Sequence, residues 1–182
     1  MRQHRLDRKH FNYAAVGITQ DHKAADDGRT GGRVSEESVQ VGSGPARWLH
    51  AWQQTMSWGI QRSAGYSILP VGEDATNQVR PGLTVRMRRR FGPLVMSMPV
   101  RVVHVIDEPD RKGFAFGTLS GHPVSGEVAF VVEHRPDDTV HFVLRTFSGP
   151  GKGLWALAYP VVLLLRGGLR DSYLESLAAP LD

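Results

Sequence analysis

The chain has 182 residues, a formal net charge of +4 and no cysteine. That length predicts one domain burying roughly 70% of the surface its unfolded chain exposes, and the missing cysteine excludes disulfides, thiolate nucleophiles and Cys-ligated zinc. The densest basic run, Arg86, Arg88, Arg89 and Arg90, has only Phe91 beside it; a nucleic-acid surface would interleave more stacking aromatics, so the run reads as a charged strand edge and no nucleic-acid partner is expected.

Residues 1–10 are polar and charged, without the apolar stretch of a secretory signal. They read as a frayed tail ahead of a single domain over 11–178, and the protein reads as cytoplasmic. FNYAAVG (11–17) is a short apolar patch, QDHKAADDGRTGGR (20–33) a polar, glycine-rich loop, and VSEESVQVG (34–42) a strand. Ser43 and Pro45 then signal a helix start. Trp48, Trp52 and Met56 recur every four residues, flanked by Leu49 and Ile60, which predicts an amphipathic helix over 45–64 ended by Gly65. Residues 66–82 read as irregular.

A strand-rich block follows over 83–147. LTVRMRRRF (83–91) and LVMSMPVRVVHVI (94–106) meet at a Gly92-Pro93 turn. Strict alternation puts Leu94, Met96, Met98, Val100, Val102, His104 and Ile106 on one face, and Pro99 predicts an edge strand or a bulge. FAFGTL (114–119), EVAFVVEH (127–134) and TVHFVLRTF (139–147) complete an antiparallel meander. After the linker SGPGKG, residues 154–177 read as a long helix interrupted near Pro160 and Gly167-Gly168. Its apolar run LWALAYPVVLLL (154–165) is twelve residues long. A membrane span needs about 20, so the run reads as core, with peripheral membrane contact the lesser reading.

The most distinctive stretch is GTLSGHPVSGEVAF (117–130), which sets His122 and Glu127 in a Gly- and Pro-punctuated turn. With FNYAAVGIT, PVRVVHVIDEPDRKGF, VLRTFSGP and LRDSYLESL, it makes the chain resemble the bacterial and plant family known as domain of unknown function nineteen-ninety, within the START-like (SRPBCC) superfamily. The resemblance implies an α+β helix-grip fold: a curved antiparallel sheet packed on a long C-terminal helix. It brings no established reaction and no cofactor. Ala14, Ala15 and Val128 depart from the family pattern, in which a proline and an acid often follow the first tyrosine and a second acid follows the Gly-Glu; a paired-carboxylate mechanism is therefore not expected.

A bent sheet gripping one helix leaves a gap, the usual form of a small-molecule site. By analogy of fold, the expected ligand is a small hydrophobic or lipid-like molecule. Its walls are expected from Phe114, Phe116, Phe130, Phe142, Trp155 and Tyr159, and its polar contacts from His122, Glu127, Arg145, His104 and Tyr13. The alternative is an enzyme using the same cavity, with His122 and Glu127 as acid and base in a cyclase, dehydratase or hydrolase reaction. Against both stands a plainer account in which His122 and Glu127 satisfy a hairpin's own polar groups, and His104 and Tyr13 are packing residues. Arg145, if inward, needs a carboxylate, with Glu127 and Glu133 the candidates; the strand register decides its face. The eight histidines include no His-x-x-x-His pair, so no metal site is expected. GPGKG lacks the spacing of a phosphate loop.

Overall fold

The computed structural model describes residues 6, 8–20, 33–71, 78–150, 173 and 175–178. In chain order they form β1 (Arg33–Ser43), α1 (Gly44–Met56), α2 (Gly59–Ser63), β2 (Ser67–Val71), β3 (Thr84–Phe91), β4 (Leu94–Asp107), β5 (Arg111–Thr118), β6 (Val124–His134) and β7 (Thr139–Pro150). The strands make one curved antiparallel sheet in the order β1-β7-β6-β5-β4-β3-β2. The meander β2 to β7 is sequential, and β1 closes its far side against β7.

Helices α1 and α2 cover one face, here called inner. Alternation along each strand delivers Val85, Val100, Val102, Phe114, Phe130, Val132 and Val140 to that face. Of the long helix expected over 154–177, Tyr173 and 175–178 are described. They are helical, and Tyr173 and Leu177 are buried in the same inner core. The rest of that helix, with Trp155 and Tyr159, lies outside the described residues. Among the described residues no helix is long and apolar enough to cross a membrane.

The single helix expected over 45–64 is two. Ser43 takes the extended N-cap conformation and Pro45 sits in the first turn, as anticipated, but the helix stops at Met56. Trp58 adopts a left-handed backbone with φ +63°, a conformation costing a bulky residue about 1–3 kcal/mol. Gly59 permits the reversal, since a Cβ there would stand 2.0 Å from Gln54 Oε1 and 2.8 Å from Gln54 O. The indole that results is fully buried.

Two further expectations change. Residues 67–71 form the edge strand β2, so β3 is internal as far as Arg88; Pro70 obscured the strand, yet an edge is where proline is tolerated. In β4 the irregularity falls at Val103 rather than at Pro99: Val102 pairs with Phe116 and His104 with Ala115. The extra residue reverses the alternation. His104 therefore leaves the face of Val100 and Val102, and Val105 takes its place against the inner core.

Candidate functional site

Among the described residues, the phenylalanines and the strand-borne polar residues expected to share one cavity occupy opposite faces of the sheet. Phe114, Phe116, Phe130 and Phe142 form a ladder on the inner face, with adjacent ring centroids 5.6–6.3 Å apart. Glu127, Arg145 and His104 have the other parity. Glu127 pairs with Gly117 and Phe147, and Arg145 pairs with Ala129, which pairs with Ala115, the partner of His104. One cavity combining phenylalanine walls with these polar residues does not form.

On the outer face, residues 9–20 lie across the sheet as a strap. Phe11 bridges to Leu119, and Asn12 donates from its backbone to Thr118 O at 3.1 Å and from its side chain to Val124 O at 3.0 Å. Glu127 is the clasp. Its Oε2 accepts from the Tyr13 hydroxyl at 2.6 Å and the Gly17 amide at 2.7 Å; its Oε1 accepts from the Thr19 amide at 3.1 Å and from the Thr19 hydroxyl. Four donors thus converge on a nearly inaccessible carboxylate. Burial first, and the neighbouring carboxylate second, push the Tyr13 hydroxyl far above the ordinary tyrosine range.

Arg145, also buried, holds the next stretch of the strap and the edge strand. Its Nε and Nη2 donate to Glu36, the former at 2.7 Å, and its Nη1 donates to Thr19 O at 3.0 Å. The partner is thus Glu36 of β1, not Glu127 or Glu133. Glu36 is the residue opposite Arg145 in the β1–β7 register, a long-range pairing that local pattern did not announce.

His122 stands in the β5–β6 turn with Nδ1 3.0 Å from both the N–H and the carbonyl oxygen of Val124. Burial lowers its pKa to about 4, only partly offset by the Val124 hydrogen bond. No hydrogen bond joins it to Glu127 among the described residues. His104 is buried with neither ring nitrogen partnered. Desolvation lowers its pKa, opposed by the Glu127 charge.

The glycines of the distinctive motif follow from this clasp. A Cβ on Gly117 would sit 2.1 Å from the Tyr13 hydroxyl oxygen and 2.8 Å from the Phe11 ring. Gly126, at φ +156°, would bring a Cβ within 2.0 Å of Phe147 O on the neighbouring strand. The motif builds the seat for the strap.

Sequence reasoning missed the unsatisfied polar atoms of the inner face. Trp58 packs edge-on against Phe114 at 4.7 Å and stacks on Phe116 at 5.8 Å, while Tyr173 meets Phe130 edge-on at 5.4 Å. Among the described residues the Trp58 indole N–H, within this aromatic cluster, has no hydrogen-bond partner. Gln61, one helical turn on and fully buried, has none for either its amide oxygen or its amide nitrogen. A glutamine inside an aromatic-lined helix pair was the available signal, since Gln is seldom fully buried without a partner.

A curved seven-stranded antiparallel sheet with a helix pair inserted between its first two strands is an α+β arrangement, and the solved structures it resembles are helix-grip-like folds. Solved structures agree at the level of fold. A hypothetical protein, jhp0584, from Helicobacter pylori superposes with a TM-score of 0.60 at 13% identity, over 86% of this chain and 92% of that one. A norcoclaurine synthase point mutant from Thalictrum, in complex with a transition-state analogue, gives 0.54 at 11% identity, over 81% and 92%. Ara h 8.0201 gives 0.52 at 14% identity, over 82% and 100%. The chain belongs to the family described as domain of unknown function (DUF1990), whose model matches residues 12–176. It is 36% identical to a UPF0548 protein of Deinococcus radiodurans over 159 residues, 83% of this chain and 77% of that protein. It is also 36% identical over 78 residues to UPF0548 protein At2g17695 of Arabidopsis thaliana, 40% of this chain and 38% of that protein.

Proposed function

We propose that the protein is a cytoplasmic binding module for a small, mostly apolar molecule with one polar end, held against the inner face of the sheet. Phe114, Phe116, Phe130 and Phe142 supply the apolar wall, and the Trp58 N–H and the Gln61 amide supply the polar contacts. One observation carries the reading: three polar atoms on these two side chains, three residues apart in the chain, are buried with no hydrogen-bond partner among the described residues. Leaving such a group unpaired costs about 1–3 kcal/mol, which a ligand's polar end would recover. Trp58 can only donate, while Gln61 both donates and accepts. The complementary end is therefore a hydroxyl, a carboxylic acid or an amide. The transition-state analogue in the norcoclaurine synthase structure supports the reading by analogy of fold, since that protein too holds a small molecule.

Native mass spectrometry of gently purified protein from its own host tests this. The wild type is expected to carry a small-molecule adduct, and Gln61→Leu and Trp58→Phe to lose it. The proposal fails if the wild type carries none and also takes up no anilinonaphthalene sulfonate in a saturable manner.

A further inference from the structure

Beyond the inner face, the β3–β4 hairpin projects from the sheet. Pairing of β3 with β2 extends as far as Arg88, opposite Ser67, and pairing of β4 with β5 starts at Val100, opposite Thr118. Between those limits Arg89, Arg90 and Phe91 pair only with Met96, Val95 and Leu94. A two-stranded ribbon is marginal by itself in water, and this one exposes aliphatic residues at its tip, Val95 on the outer face and Leu94, opposite Phe91, on the other. Leu94 at the tip is 72% exposed and Val95 58% exposed. Alternation puts Arg86, Arg88 and Arg90 on the outer face with Val95, and the register adds Leu69, 41% exposed, opposite Arg86. Among the described residues no carboxylate pairs with these three arginines.

We infer that this hairpin docks the protein on an anionic lipid surface, the arginines facing phosphate headgroups and Leu94 and Val95 entering the acyl boundary. Charge complementarity selects an anionic partner. The interleaved aliphatic residues select a lipid interface over a nucleic acid, which would need stacking aromatics or hydrogen-bonding side chains at those positions. Docking here is separate from the 154–165 run and independent of what the inner face binds.

Co-sedimentation with vesicles of phosphatidylcholine alone, and of phosphatidylcholine mixed equally with phosphatidylglycerol, tests the inference. The protein is expected to pellet with the mixed vesicles only, less so as salt rises. Each Arg→Gln change at 86, 88 or 90 is expected to weaken partitioning about fivefold, and Leu94→Ser with Val95→Ser to weaken it about tenfold or more. All these side chains are at least partly exposed, so far-UV circular dichroism should match wild type; should the triple arginine variant fail to fold, the Leu94/Val95 variant carries the test. Equal pelleting with neutral vesicles overturns the inference. So does wild-type partitioning by both variants, or retention on duplex DNA that the Leu94/Val95 variant leaves unchanged.

Discussion

Replacing Gln61 by leucine should make the ligand-free protein more stable while removing a polar contact to the ligand. The wild-type side chain is fully buried, and neither its amide oxygen nor its nitrogen is hydrogen-bonded. A buried amide in that state costs about 1–3 kcal/mol, and leucine fills a similar volume without it. At about 2–4 °C per kcal/mol for a chain of this size, the melting temperature of Gln61→Leu should rise by about 2–12 °C. The comparison needs protein unfolded and refolded to strip any bound molecule, because a ligand at a hundred times its dissociation constant stabilises by about 2.7 kcal/mol and would hide the gain. Urea unfolding followed by circular dichroism gives the free energy and calorimetry the midpoint. Gln61→Met, unbranched like glutamine, guards against misfit of the leucine shape. If both variants lose about 1 kcal/mol or more, the amide is satisfied in solution, for instance by a buried water, and the site proposed for the ligand's polar end does not exist.

Removing the clasp should loosen the strap. Glu127→Ala leaves the Tyr13 hydroxyl and the Gly17 and Thr19 amides without their acceptor, and should cost about 3 kcal/mol or more. Faster hydrogen exchange at the Gly17 and Thr19 amides should accompany it; a loss under about 1 kcal/mol with unchanged exchange contradicts the clasp. His122 makes stability fall in acid. Its folded pKa of about 4 lies below the ordinary 6.5, so the unfolded state takes up the proton first. Stability is intact above about pH 6.5 and declines as pH falls toward 4, by at most about 3 kcal/mol. His122→Asn should flatten that part of the wild-type profile, and superimposable urea midpoints across the range would refute it.

Much of the fold was readable because its signals are local. Ser43 and Pro45 open a helix, Gly65 closes the helical region, and apolar alternation marks the strands of the meander. What escaped was non-local or a matter of one residue. The insertion at Val103 moves His104 from the inner to the outer face, and no residue type announces a bulge there. The helix expected over 45–64 ran through Trp58 without a break; that its backbone turns left-handed there depends on Gly59 packing against Gln54. Glu36 meets Arg145 only because the first strand pairs with the last. Alternation within each strand made the shared face of the phenylalanines legible, whereas the placing of His104, Glu127 and Arg145 obeyed a bulge and the register of strands far apart in sequence. Gln61 went unnoticed because its meaning lies in the absence of partners, which only coordinates disclose.

The strap also sets an order of assembly. Tyr13 and Glu127 are 114 residues apart, and Glu36 and Arg145 are 109 apart. A chain emerging from the ribosome presents residues 9–20 early, yet nothing can receive them until β6 and β7 exist. The strap is made before its seat and settles after it, and contacts of such long sequence separation slow folding. Until that closure, the back of the sheet stays open to other chains.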